Sequence, residues 1–134
     1  MIHLDSSFVI DLLREQTRRP GKATAWLEAH AAEPLGVSLF VLCELEAGAA
    51  AADDPDAERD RVRTTLQVVA KVLPDDRFAA KYGALLNVLH RRGRPIGAMD
   101  LLIATAAVLD GAPLVTGNAS HFEHVPGLQV LAYR

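Results

Sequence analysis

Three carboxylates lie in apolar stretches of the sequence, where ionised side chains are uncommon unless they have a partner. Asp5 follows the apolar segment 2–4, and Glu44 and Asp100 each interrupt a longer apolar run. Three carboxylates brought within a few ångströms would raise one another's pKa, and a divalent cation would relieve that conflict. Oxygen ligands of this kind suit Mg²⁺ or Mn²⁺, whereas no His or Cys pair at ligand spacing favours Zn²⁺. The acids therefore predict a Mg²⁺ site, with Mn²⁺ possible, provided that the fold brings them together.

A parallel α/β sheet would bring them together. Short apolar segments alternate with helical ones along the chain, which predicts a mainly parallel sheet with helices on both faces. Ligand sites of such sheets lie at the carboxyl ends of the strands, where Asp5 must lie. Helices that begin near that edge would bring Glu44 and Asp100 alongside. Strands are predicted at residues 2–4, 35–38, near 72–73, at 114–116 and at 128–131.

Helical segments fill most of the sequence between the strands. Ser6 or Ser7 can cap the first helix. At 134 residues the chain is predicted to form one domain over residues 1–134. The further helices are predicted at residues 22–31, 40–52, 56–69, 76–92 and 99–109.

Each acid also has an ordinary structural explanation. Asp5 could cap the first helix, and Asp100 could complement the dipole of the helix that it opens. Glu44 could pair with a nearby arginine. After the strand at 114–116, Thr116 and Asn118 offer neutral oxygens and His121 a donor or base, although an Asn turn with an N-cap explains them too.

Charge and cysteine content restrict the class of protein. The chain has 14 basic and 17 acidic residues, a formal net charge of −3, which excludes nucleic-acid binding by bulk positive charge alone. Without the three acids, 14 acidic residues match 14 basic ones. The single cysteine, Cys43, cannot form an internal disulfide, which favours a reducing, cytoplasmic compartment. No stretch is apolar over the length that a membrane span requires, and the N-terminus lacks a signal-peptide pattern.

Four sequence blocks, in their order and spacing, resemble the PIN-domain family, specifically the VapC-type toxins of bacterial type II toxin–antitoxin systems. The resemblance extends from residue 2 to residue 130. The blocks are LDSSFVIDLL at 4–13, VSLFVLCELEAG at 37–48, GAMDLLIATA at 97–106 and VTGNASHF at 115–122.

This resemblance implies a three-layer α/β/α fold and a Mg²⁺-dependent endoribonuclease that hydrolyses RNA phosphodiesters with a metal-activated water. Its three main acids correspond to Asp5, Glu44 and Asp100, and its small hydroxyl residue to Ser6. The family often has another acid in the fourth block, but residues 118–121 contain no carboxylate. Asn118 would then orient a water or another carboxylate, with His121 a lesser candidate.

The resemblance also implies three partners: an RNA substrate, a second copy of the chain and a VapB-like antitoxin. The antitoxin would cover a groove near the acids, for which the helices around Trp26 and Phe40 are candidates, although core packing explains these side chains equally well. Arg94, in a cluster with Arg91 and Arg92, is a candidate phosphate contact. A solvated helix C-terminus is the alternative for each arginine of the cluster.

Other functions fit the sequence less well. A phosphoryl-accepting Asp5, as in haloacid-dehalogenase-like phosphatases, would need a second acid at Ser7, and a response-regulator receiver would need a lysine after Lys81. A PIN-like nuclease that is not a toxin, or a catalytically silent scaffold that binds RNA or a partner, remains the alternative.

Overall fold

Five short strands form a single sheet at the centre of the molecule, as the alternating pattern predicts. The computed structural model describes residues Met1–Arg134. Every neighbouring pair of strands is parallel, so the predicted α/β class with a mainly parallel sheet is confirmed. The strands are β1 (Ile2–Leu4), β2 (Leu35–Ser38), β3 (Ala70–Val72), β4 (Leu114–Thr116) and β5 (Val130–Ala132).

Seven helices connect and cover these strands, giving the three-layer α/β/α arrangement. Most of them begin and end within a few residues of the predicted positions. They are α1 (Ser6–Gln16), α2 (Lys22–Ala29), α3 (Leu39–Ala50), α4 (Pro55–Thr65), α5 (Phe78–Arg91), α6 (Ala98–Leu109) and α7 (Ala119–Phe122).

Four elements differ most clearly from the predictions. Strand β3 spans Ala70–Val72, whereas it was expected near residues 72–73. Helix α4 ends at Thr65 rather than near Val69, because Leu66 and Val69 turn into the core before β3 begins. The last strand begins at Val130, later than predicted, because Gly127 takes a left-handed conformation (φ 78°) and extends the preceding turn. The four-residue helix α7 stands where a turn was expected.

The strand order places β1 at the centre of the sheet. The order is β3-β2-β1-β4-β5. Strands β2 and β3 are thus added on one side of β1, and β4 and β5 on its other side. In register, Leu4 of β1 lies beside Val115 of β4. Ligand sites in open parallel sheets lie where the strand order reverses, at the carboxyl ends of the strands. Residues immediately after β1 and β4 are therefore the first place to look for a site.

A continuous apolar core holds this edge in place. Twenty-four buried residues form it, and the neighbouring strands β1 and β4 are buried along their whole length. Helix α3 follows β2 with no intervening loop, because Ser38 accepts a hydrogen bond from Val41 N–H and caps the helix. None of the helices combines the length and apolar character that crossing a membrane requires.

Candidate active site at the carboxyl edge

Asp5 lies at the carboxyl end of β1 with only 3% of its surface exposed. It occupies the N-cap position of α1, but its side chain does not cap the helix. Its Oδ2 instead accepts hydrogen bonds of 2.7 Å from Ser7 Oγ and 2.7 Å from Thr116 Oγ1. The capping explanation of Asp5 is therefore wrong, because the carboxylate turns away from the helix and toward β4.

The second oxygen of Asp5 is free for another partner. Oδ1 receives no hydrogen bond from the protein, whereas both donors go to Oδ2. Every buried side-chain polar atom in the molecule has a hydrogen-bond partner, so Oδ1 must reach the surface. The carboxylate is thus fixed through one oxygen and presents the other at the sheet edge.

The residues after β4 complete the support of Asp5. Gly117 N–H donates to Ser7 Oγ over 3.0 Å, and Asn118 N–H donates to Thr116 Oγ1 over 2.9 Å. Each hydroxyl therefore accepts from the backbone and donates its proton to Asp5. The side chain of Asn118 does not cap α7. Its predicted part in catalysis stays a prediction.

Glu44 projects from α3 toward the same edge. Its Oε1 accepts a 2.8 Å hydrogen bond from Ser6 Oγ, and it has no arginine partner, so the ion-pair explanation is wrong for this residue. Partial burial raises the pKa of Glu44, and the negative charges of Asp5 and Asp100 raise it further. The hydrogen bond from Ser6 acts in the opposite direction. Ser6, adjacent to Asp5, thus links the first acid to the second.

Asp100 lies in the first turn of α6, as both the dipole explanation and the site prediction require. Its Oδ2 is 3.3 Å from Nδ1 of His121, and its side chain remains 31% exposed. Partial burial raises the pKa of Asp100 and the charge of Asp5 adds to the rise, while the neighbouring His121 lowers it. The short helix α7 therefore brings His121 beside the third acid.

Together Asp5, Glu44 and Asp100, here called the acid cluster, interact electrostatically across three separate elements. No lysine or arginine forms an ion pair with any of them. No three acidic, His or Cys side chains converge at direct ligand distance around one point. Mg²⁺ is usually held through one or two carboxylates and keeps several waters, so the donor set fits that cation.

Two cavities open beside the acid cluster. The first, of about 430 Å³, is bordered by Asp100, His121 and Arg94 and is here called the Arg94 cavity. The second, of about 340 Å³, lies between α1, α3 and α4 and reaches Glu44. Half of the residues that line it are apolar. Of the three clustered arginines only Arg94 borders one of these two cavities. Arg91 and Arg92 end α5 in solvent, as the helix-terminus alternative has it.

The two aromatic side chains named as candidates for a partner groove both make core contacts. Trp26 packs edge-on against Phe8, with ring centroids 5.3 Å apart, and Phe40 packs against Phe78 at 5.2 Å. Both belong to the partly buried shell of the core. The apolar cavity that reaches Glu44 contains neither of them.

The sequence reasoning missed the part of Ser7, which it treated only as a helix cap. In the structure this hydroxyl donates to Asp5 and accepts from Gly117. The available signal was a second hydroxyl residue two positions after a strand-end acid, facing a strand that ends in Thr116. Only the pairing of β1 with β4 turns that pattern into a contact.

Comparison with known proteins places the chain in a family. The PIN domain family model matches residues 2–128. The VapC ribonuclease Y4jK of Sinorhizobium fredii is 31% identical over 142 aligned positions, covering 98% of this chain and 96% of the relative. Ribonuclease VapC2 of Rickettsia felis is 33% identical over 98 positions, covering 70% of each chain.

Solved structures agree with these sequence matches. A VapBC2 structure from Rickettsia felis, bound to a DNA fragment from its promoter, covers 100% of both chains with a TM-score of 0.90 and 26% identity. VapBC-1 from nontypeable Haemophilus influenzae gives a TM-score of 0.83, also with 26% identity, and covers 99% of this chain and 98% of that one. The chain therefore belongs to the PIN-domain family and, within it, to the VapC ribonucleases.

Proposed function

We propose that this protein is a divalent-metal-dependent endoribonuclease, with Mg²⁺ or Mn²⁺ as its cofactor, and the toxin of a VapBC-type toxin–antitoxin pair. One observation carries the proposal. Three carboxylates, from the end of β1 and from α3 and α6, lie together without a lysine or arginine partner, and the most buried of them keeps one oxygen free at the surface. Such a concentration of negative charge suits a cation that carries RNA phosphate.

The chain's own residues have distinct tasks in this proposal. Asp5 and Asp100 would hold the cation, and Glu44 would contact it through a bound water or accept a proton from the attacking water. A divalent cation in that place would stabilise charge on the phosphoryl oxygens and lower the pKa of a bound water. Ser7 and Thr116 hold the Asp5 carboxylate in its orientation, because both hydroxyls donate to its Oδ2.

The histidine beside Asp100 has a supporting task. His121 Nδ1 contacts Asp100 Oδ2, which leaves the other carboxylate oxygen for the cation. Because residues 118–121 contain no carboxylate, the site is proposed to work with three acids. Asn118, whose side chain makes no hydrogen bond with the protein, would face the substrate side of α7.

The proposed partners follow from the relatives, whose structures are VapBC complexes. A VapB-like antitoxin would cover the acid cluster, and the cavity between α1, α3 and α4 offers it apolar surface that ends at Glu44. A homodimer is proposed from the same resemblance.

The first test is RNA cleavage with a matched pair of variants. In Mg²⁺ the wild type should cut RNA, and EDTA should stop it. Asp5→Asn should lower the cleavage rate by about 100-fold or more, since it removes a charge aimed at the cation and several kcal/mol of transition-state stabilisation. Asp60→Asn, which removes an exposed charge paired with Arg63, should stay within about twofold.

Equal cleavage by wild type and Asp5→Asn would refute the mechanism and favour a contaminating nuclease or a silent scaffold. The toxin assignment has its own test. Expression in bacteria should arrest growth, and co-expression of the protein encoded beside it should restore growth. Unimpaired growth of cells that contain active nuclease would support a nuclease that is not a toxin.

A further inference from the structure

The Arg94 cavity adjoins the acid cluster but is built differently from it. Asp100 and His121 belong to its lining together with Arg94, which lies on the loop between α5 and α6. At about 430 Å³, its volume is that of a small-ligand site. It therefore has room for one small chemical group beside the acid cluster, but not for several nucleotides of an RNA strand.

The walls of the cavity combine apolar and polar groups. Leu89 and Val125 are buried core residues in its lining, and Ile96 adds a half-buried side chain. These three side chains are here called its apolar floor. Ser120 and His124 supply hydroxyl and imidazole groups on the rim. An apolar floor with a polar, partly cationic rim suits a ligand with a flat apolar face and an anionic group.

Arg94 is held in place by its backbone and has a free side chain. Its N–H donates to Leu89 O over 2.9 Å, and Gly93 N–H donates to His90 O over 3.1 Å, which together form the Schellman end of α5. Gly93 has φ 64°, the left-handed conformation that this motif requires. The guanidinium of Arg94 takes part in none of the arginine ion pairs. It is an unpaired cation whose backbone, but not its side chain, is fixed by the helix end.

We infer that the Arg94 cavity binds one nucleotide of the RNA next to the scissile phosphodiester, with its phosphate at Arg94 and its base over the apolar floor. The inference rests on the proposed ribonuclease function, because Asp100 belongs to both places. Planar guanidinium groups bind phosphate oxygens through paired hydrogen bonds. Two carboxylates, Asp100 and Glu123, also line the cavity, and Glu123 lies 3.3 Å from His124.

Nucleotide binding is tested without metal or cleavage. AMP, adenosine and inorganic phosphate are titrated into the protein in EDTA and followed by NMR. AMP should bind about tenfold more tightly than adenosine or phosphate. Arg94→Ala should remove the advantage of AMP over adenosine, whereas Arg92→Ala, an exposed neighbour outside the cavity, should leave it unchanged. Glu123→Gln should strengthen AMP binding roughly twofold, because it removes a repelling charge.

Cleavage kinetics give the second readout. Arg94→Ala should raise KM for RNA about tenfold with kcat within about twofold, because the residue binds substrate away from the reacting atoms. Because the Arg94 side chain is exposed and unpaired, Arg94→Ala is expected to fold like the wild type, and circular dichroism checks this. Equal KM values for Arg94→Ala and Arg92→Ala, or AMP binding no tighter than phosphate, would overturn the inference. Neither result would contradict the proposed nuclease activity, which Asp5→Asn tests separately.

Discussion

Helix α4 and the acid cluster hold their negative charges in opposite ways. On α4 each acid has an arginine three residues later on the same face, at 2.7–3.4 Å. The pairs are Asp56–Arg59, Glu58–Arg61 and Asp60–Arg63. Such pairs contribute a few tenths of a kcal/mol each and leave the helix nearly neutral.

The acid cluster has no such compensation. Its partners are hydroxyl groups and one histidine, and partial burial, together with the neighbouring charges, raises the pKa of Glu44 and of Asp100. The formal charge of −3 equals the number of acids in this cluster. The comparison teaches that net charge says little about binding RNA phosphate, because placement decides whether a carboxylate is neutralised or left to hold a cation.

The largest expected effect in this comparison comes from the hydroxyl that supports Asp5. Thr116→Val keeps the buried volume but removes the 2.7 Å donor to Asp5 and the acceptor of Asn118 N–H. We expect cleavage about tenfold slower and stability lower by roughly 1–3 kcal/mol. Thr65→Val, which removes an exposed hydrogen bond from Gln16 at the end of α4, should change neither measurably. Equal effects of the two substitutions on cleavage would show that Thr116 has no special part in the site.

Mg²⁺ should stabilise the folded protein through the acid cluster. At ten times its Kd the ion contributes about 1.4 kcal/mol, which corresponds to a rise in Tm of roughly 4 °C. Asp5→Asn should lose most of that rise, and Asp60→Asn should retain it. Differential scanning fluorimetry with and without EDTA measures the difference. A rise of equal size in both variants would place the bound ion elsewhere.

Removing one charge from the cluster should stabilise the metal-free protein. Since folding raises the pKa of Glu44, its ionised form destabilises the folded state at neutral pH. Glu44→Gln should therefore raise Tm in EDTA at pH 7 by about 2 °C. The gain should shrink as the pH falls toward 4.5, where the wild-type side chain becomes protonated and loses its charge. Glu58→Gln, which breaks the pair with Arg61, should lower Tm by about 1 °C at pH 7.

Local patterns of the sequence were enough to predict the strand and helix order. Strands β1, β2 and β4 begin and end where the apolar segments predicted, because buried strands of a parallel sheet are continuously apolar. Strand β3 begins at Ala70, earlier than predicted, and α7 replaces an expected turn. The other errors fell at β5 and at the end of α4. There the chain follows core packing by Leu66 and Val69 and a left-handed Gly127, which periodicity does not report.

The sequence alone determined which acids are unusual, because a carboxylate within an apolar run needs a partner whatever the fold. Tertiary structure alone decided what surrounds them. Ser7 and Thr116 meet Asp5 only because β1 pairs with β4, and Arg94 is separated from Arg91 and Arg92 only by the left-handed turn after α5. The physical reason is that the local pattern of apolar residues predicts which segments are buried. Hydrogen bonds and cavities instead depend on contacts between residues as far apart in the chain as Asp5 and Thr116.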